Sequence, residues 1–228
     1  MNFDRATRWI VEYQRRGALW IHDDNPKRPH VLLTSGKHSN GFFNSGLVCE
    51  VSSLIEEASV DLSGAVNEVV NVTPIGWVIG PAMGAIVLAH CMAQALCQFW
   101  TYTVDREMRA TFTEKVAMPE GHSQFALKRT QLHEGDEVLV VEDVVTTAGS
   151  LEATIEAVTQ AGGHVAPVVA VLVNRSGLHE VRGGRKIVAL IDKPMPMWEP
   201  EECPLCKLGS EALRPKGVGN WARLNATY

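Results

Sequence analysis

The 228-residue sequence has no surplus of positive charge: 21 Lys and Arg stand against 26 Asp and Glu, a formal charge of −5. That balance argues against a general binder of nucleic-acid backbone, whose affinity comes from neutralised phosphates. Cysteine is scarce and odd in number, with residues at 49, 91, 97, 203 and 206. Such a set does not make a disulfide framework and points to a reducing, cytoplasmic setting. The opening segment, MNFDRATRWIVEYQRRG, lacks the continuous apolar core of a signal peptide. Neither G-x-x-x-x-G-K-[ST] nor a G-x-G-x-x-G after a strand occurs, so a P-loop and a dinucleotide fingerprint are both missing. Internal repeats and low-complexity tracts are missing as well.

Charge is also missing from one long stretch. Val69 to Val104 contains no Asp, Glu, Lys or Arg, which exceeds the ~20 residues of a bilayer crossing. Pro74, Gly76, Gly80, Pro81 and Gly84 break it, however, and Asn71, His90, Gln94 and Gln98 are scattered through it. The pattern predicts a buried strand at Trp77–Ile79, a turn at Gly80–Gly84 and a buried helix from about Ala85 to Leu96. No membrane partner is expected.

What the chain does have is apolar residues, 46% of the total, enough to build one substantial core and to exclude disorder as its main state. Trp9, Ile10 and Tyr13 recur at helical spacing before Gly17, predicting a first helix over 4–16. His22 to His30 form a polar loop, 31–48 alternates short apolar runs with Gly, Ser and Asn, and a helix is expected at about 54–70. Residues 105–135 mix charges of both signs with single hydrophobes, as a mobile lid or hairpin would. Beyond them EVLVVED, VVTTAGS, LEATIEAVTQA and HVAPVVAVLVN spell strand, loop, helix, strand. With the unit before it, this predicts an α/β protein built on a parallel sheet flanked by helices. The tail from Pro194 is Pro-rich and irregular.

Chemistry concentrates in 138–150. Glu142 and Asp143 emerge at the C-terminal end of a buried strand, the edge where open parallel sheets bind ligands. Adjacent carboxylates accept hydrogen bonds from vicinal hydroxyls or hold a divalent cation. Thr146, Thr147, Gly149 and Ser150 then open a helix, where free N–H groups and the helix dipole favour an anion. A diol beside a phosphate describes a sugar phosphate. An acidic turn before a Thr/Ser-capped helix is the plainer alternative.

The same segment, EVLVVEDVVTTAGS, closely resembles the phosphoribosyl-pyrophosphate signature of the type I phosphoribosyltransferases. Leu33–Ser39 with Phe42 and Phe43, Gly80–Ala89, Phe112–Lys115, Leu127–Arg129, Val173–Ser176 and Cys203–Cys206 resemble further segments of their orotate branch. The resemblance implies a single domain over 1–228, with a small hood from about 1–50 and 192–228 on a core of 51–191. It implies transfer of phosphoribose to orotate with Mg²⁺, held through the substrate, and a homodimer. Glu142 and Asp143 would hold the ribose hydroxyls. Val144, Val145, Thr146, Thr147, Ala148, Gly149 and Ser150 would cradle the 5′-phosphate, and Ala82, Met83, Gly84 and Ala85 the pyrophosphate. Lys115, and less directly Arg109, would counter the leaving charge. Arg175 would pair with the orotate carboxylate, with Lys37, Phe42, Phe43 and Thr146 near the base.

The sequence departs from the family at two loops, and its 105–129 excursion holds fewer basic residues than many relatives. Ala148 stands where glycine is common, acceptable at negative φ, and Gly84–Ala85 brings no lysine. Cys203 and Cys206 are half of a zinc site, read as a structural turn for want of nearby partners. His22, His30 and His38 are expected to be solvated, although His38 could lie near the base. A transferase for a purine or other base, and a regulator that binds phosphoribosyl pyrophosphate without turnover, are the alternatives. Arg175 and residues 33–43 discriminate among bases, and the lack of a helix-turn-helix opposes the regulator.

Overall fold

A computed structural model describes residues 4–100, 107–117 and 123–228. The first helix, α1 (Arg5–Arg15), buries Trp9 and Tyr13 on one face. Gly17, at φ +62°, ends it, its N–H reaching the Gln14 carbonyl at 3.0 Å. Four short strands follow: β1 (Leu19–Ile21), β2 (His30–Leu32), β3 (His38–Ser39) and β4 (Gly41–Phe43). A single helical turn, α2 (Gly46–Cys49), leads into α3 (Ser52–Val69), which buries Leu54, Ile55, Ala58, Leu62 and Val66 at helical spacing.

The charge-free stretch resolves into β5 (Trp77–Pro81), buried throughout, and α4 (Ile86–Leu96). No described helix is long and apolar enough to cross a membrane. β6 (Arg109–Ala117) and β7 (Ser123–Ala126) form an antiparallel hairpin. The expected lid is therefore in part an extension of the sheet. Of its other residues, 105, 106 and 118–122, among them Asp105, Arg106 and Glu120, lie outside the described ones. β8 (Glu137–Val145), α5 (Gly149–Gln160) and β9 (His164–Asn174) form the expected strand–helix–strand unit, and β10 (Glu180–Val181) and β11 (Arg185–Asp192) complete the core.

The main sheet runs β10-β11-β9-β8-β5-β6-β7. Its five inner strands are parallel, and both edge strands run antiparallel to their neighbours. Alternation divides the core. Val78, Leu139, Val141 and Ala170 face α1, α3 and α4, whereas Ile79, Val138, Val140 and Val169 face Leu151, Ile155 and Val158 of α5. Each buried aliphatic side chain contributes about 1.5–3 kcal/mol, so covering both faces makes this sheet the stable base of the molecule.

The irregular tail forms β12 (Met197–Trp198), α6 (Pro204–Lys207), β13 (Ala212–Leu213) and α7 (Asn220–Leu224). These do not sit apart. A second sheet runs β12-β3-β2-β13, interleaving strands from both ends of the chain. Trp20, Val31, Leu33 and Leu224 are its buried centre, with the Trp20 indole N–H donating to the Leu224 carbonyl at 2.8 Å. This hood stands over the C-terminal edge of the main sheet: Arg175, just past β9, donates to Gly41 O at 2.9 Å and Ser39 Oγ at 2.6 Å.

Candidate active site

A cavity of about 790 Å³ opens between that edge and the hood, within the range of small-molecule sites. Its floor is the end of β8. Four apolar residues, Val138 to Val141, are fully buried and push Glu142 and Asp143 to the strand's exit. Burial, then the neighbouring Asp143 charge, holds the Glu142 carboxyl well above the usual carboxylate range. Its Oε1 accepts the Asp143 N–H at 3.3 Å, and Asp143 Oδ1 accepts the Val144 N–H at 2.9 Å.

Beyond β8, Thr146, Thr147 and Ala148 turn the chain into α5, and all line the cavity with Gly149 and Ser150. Gly149, Ser150 and Leu151, in the first turn of α5, line the cavity, and free N–H groups at a helix start suit an anion. Ala148 sits at φ +62°. The negative φ at which alanine is acceptable is not met here: the reversal from strand exit to helix start uses the left-handed conformation, which glycine adopts without cost and alanine does not. Pro81 to Gly84 line the cavity from the adjacent strand. A Cβ on Gly84 would lie 2.8 Å from Asp143 Oδ2, so glycine is required for this loop to pass the acidic pair. Ala85 is fully buried behind it.

Lys115 lines the cavity from the hairpin, its Nζ 5.7 Å from the Phe125 ring centre. Among the described residues it has no carboxylate at ion-pair distance. Arg175 is 1% exposed and lines the opposite wall, with its Nε unpartnered among the described residues. Burial lowers its pKa to about 10, leaving it charged at neutral pH. Phe42 and Phe43 complete that wall.

Besides Ala85, which is buried and does not line the cavity, two expected site residues lie elsewhere. Arg109 begins β6 opposite Trp77, whereas the cavity is at the strand's other end, ~20 Å away at ~3.3 Å per residue. It pairs with Glu107 at 2.9 Å and stacks over the Trp77 ring. Lys37, in the β2–β3 turn, pairs with Glu199 at 2.8 Å instead of lining the cavity. The histidines expected in solvent are buried: His22 and His38 are 6% and 7% exposed and His30 is 0%. The hood sheet forms around them.

Thr34 and Ser35, within the 33–43 segment expected to discriminate among bases, line the cavity, and so do Arg214 and Lys216, which the sequence reading passed over. Arg214-Pro-Lys-Gly217 follows β13, whose pairing with β2 carries the tail back over the site. A Pro/Gly turn bearing two cations was the available signal, but nothing local places it near β8.

An acidic pair at a parallel strand's exit, followed by a helix N-terminus under a hood, is the arrangement of a phosphoribosyltransferase. A family model described as "Phosphoribosyl transferase domain" matches residues 53–201. The chain is 37% identical over 186 residues to orotate phosphoribosyltransferase of Heliobacterium modesticaldum, covering 82% of this chain and 88% of that one. It is 35% identical over 206 residues to the enzyme of that name from Pelotomaculum thermopropionicum, covering 90% and 94%. The fold matches the crystal structure of orotate phosphoribosyltransferase from Aeropyrum pernix at a TM-score of 0.54 and 24% identity, over 78% of this chain and 90% of that one. The chain belongs to the orotate phosphoribosyltransferase family.

Proposed function

We propose that the protein transfers the phosphoribosyl group of 5-phosphoribosyl 1-pyrophosphate to orotate, giving orotidine 5′-monophosphate and pyrophosphate. The observation that carries this reading is a single cavity joining the acidic pair, the α5 N-terminus and a buried guanidinium. In the reaction, the bond from the anomeric carbon to pyrophosphate oxygen breaks with its electron pair leaving on pyrophosphate. The carbon becomes oxocarbenium-like, and a ring nitrogen of orotate supplies the new bond as its proton passes to the departing pyrophosphate or to solvent.

Each group has a task in that sequence. Asp143 and Glu142 accept the ribose hydroxyls and fix the ring. The N–H groups and hydroxyls from Thr146 to Ser150 hold the 5′-phosphate. Because the 82–85 turn carries no cation, charge developing on pyrophosphate is met by Lys115, with Arg214 and Lys216 from the hood side. Arg175 presents its remaining donors to the orotate carboxylate, a planar acceptor suited to a guanidinium. Phe42, Phe43 and the hood exclude water, which would otherwise capture the sugar. Mg²⁺ fits the donor set: the Asp143 and Glu142 carboxylates, with substrate oxygens, are the hard ligands it prefers. When bound, it neutralises charge on the leaving pyrophosphate. A homodimer and a cytoplasmic setting are part of the proposal, the latter supported by five free cysteines.

The test is a spectrophotometric assay of orotate loss with phosphoribosyl pyrophosphate and Mg²⁺, with adenine, hypoxanthine and uracil in parallel. Turnover of orotate alone is the expected result. Turnover of another base would move the substrate assignment. Tight phosphoribosyl pyrophosphate binding without turnover of any base would refute the enzymatic reading.

A further inference from the structure

The hood contains a second cluster, separate from the cavity. His30 on β2 and His38 on β3 meet Cys203, immediately before α6, and Cys206 within it. His30 and Cys203 are 0% exposed. One ligand atom from each of the four lies within 4.8 Å of every other. Cys206 Sγ is 3.2 Å from His38 Nδ1 and 3.5 Å from His30 Nε2. Cys203 Sγ is 3.5 Å from His30 Nε2, and the two histidine nitrogens are 3.0 Å apart.

These are close to the edges of a coordination tetrahedron. Zinc bonds of ~2.3 Å to sulfur and ~2.0–2.1 Å to nitrogen place tetrahedral S and N ligands about 3.6 Å apart, and two N ligands about 3.3 Å apart. The surroundings also orient a ligand. Ser210 Oγ donates its only hydrogen to the Arg28 carbonyl at 2.6 Å, so at 2.8 Å from His30 Nδ1 it accepts that ring's N–H. The proton is thereby placed on Nδ1, and the Nε2 lone pair faces the two sulfurs and His38. Hydrogen bonding of the non-ligating nitrogen is the usual support of a metal-bound histidine.

We propose that His30, His38, Cys203 and Cys206 form a structural zinc site that fastens the C-terminal segment of the hood to its N-terminal hairpin. Four protein ligands leave no open position, so the ion holds structure and does no chemistry. Two thiolates with two imidazoles select zinc over the hard cations. The tie is long-range, joining residues 173 apart in sequence at His30 and Cys203. It is also adjacent to function: His38 precedes Ser39, which holds Arg175, and α6 leads through β13 to Arg214 and Lys216. The unpartnered Cys-x-x-Cys of the sequence reading thus finds its other two ligands among histidines expected to be solvated. The site does not depend on which base the cavity takes.

The test measures metal directly. Protein purified in reducing, chelator-free buffer is analysed by plasma mass spectrometry, then stripped and titrated with Co²⁺ followed by Zn²⁺. About one zinc per chain is expected, with a cobalt spectrum carrying thiolate charge-transfer absorption that zinc abolishes. Cys206→Ser and Cys203→Ser should lose the metal, and Ser210→Ala should weaken binding about 10- to 100-fold. Cys97→Ser, at an exposed cysteine outside the cluster, should bind as wild type. If Cys203→Ser does not fold, Cys206→Ser and the wild-type cobalt spectrum decide the matter. Failure of stripped wild-type protein to bind either metal would overturn the proposal, as would a cobalt spectrum without thiolate bands. So would a Cys206→Ser variant that binds as wild type, or a Cys203–Cys206 disulfide persisting in reductant.

Discussion

Ala148→Gly tests whether the turn into α5 carries the backbone cost that its geometry implies. A left-handed φ at a residue with a Cβ costs roughly 1–2 kcal/mol, and the substitution removes that cost. Two losses oppose it. Glycine gives the unfolded chain more freedom, about 0.4–1 kcal/mol, and Ala148 is only 4% exposed within the α5 cluster, so its methyl contributes about 0.8 kcal/mol. The three effects nearly cancel, and the expected change is zero within about 0.8 kcal/mol. Ala157 is the control. It is 5% exposed in the C-terminal half of α5, in ordinary helix, where glycine costs about 1 kcal/mol in propensity and a similar amount in lost burial. For a domain of this size each kcal/mol shifts Tm by about 2–4 °C. Thermal unfolding should therefore place Ala148→Gly within about 3 °C of wild type and Ala157→Gly about 4–7 °C below it. Equal losses at the two positions would refute the argument, because no strain would have been released at 148.

The other site residues make sharper functional predictions. Glu142→Gln should stabilise the free protein while weakening phosphoribosyl pyrophosphate binding. Because the folded pKa is raised above the ordinary value of 4.5, the wild-type contribution is full below that value and declines as pH rises toward the folded pKa. The melting-temperature gap in favour of Gln should thus widen with rising pH, and a constant gap would contradict the burial argument. Lys115→Ala should lower kcat about 100-fold or more with little change in orotate KM; unchanged turnover would remove Lys115 from the mechanism. Arg175→Lys leaves Ser39 Oγ or Gly41 O without its donor. It should lower stability by about 1–3 kcal/mol and raise orotate KM more than that of phosphoribosyl pyrophosphate, which steady-state kinetics can separate.

Much of the core was legible in the linear pattern. The buried run at 138–141, the acidic pair after it and the hydroxyls before the next helix are neighbours in sequence, so strand, exit and anion site could be placed from spacing alone. The charge-free 69–104 stretch was likewise separable into strand and helix by its Pro and Gly breakers. The placement of cations was not legible. Arg109 and Lys115 sit on one strand, and only the direction of β6 beside β5 decides that Lys115 reaches the cavity. Alternation and charge do not report which end of a strand faces a ligand until its parallel neighbours are known.

The hood marks the same boundary. Its strands are two or three residues long, too short to carry a periodic signal of their own, and each is stable only when paired. Pairing β13 with β2 brings Arg214 and Lys216 over a site formed some seventy residues earlier in the chain. The same sheet gathers two histidines and two cysteines from opposite ends of the sequence into one buried cluster. Local preference, acting over a turn of helix or a few residues of strand, settled the central unit and the chemistry of its loop. Long-range pairing set the Arg175 anchor, the left-handed turn at Ala148 and the hood that closes the site, because each depends on contacts whose chain-closure cost only the assembled core offsets.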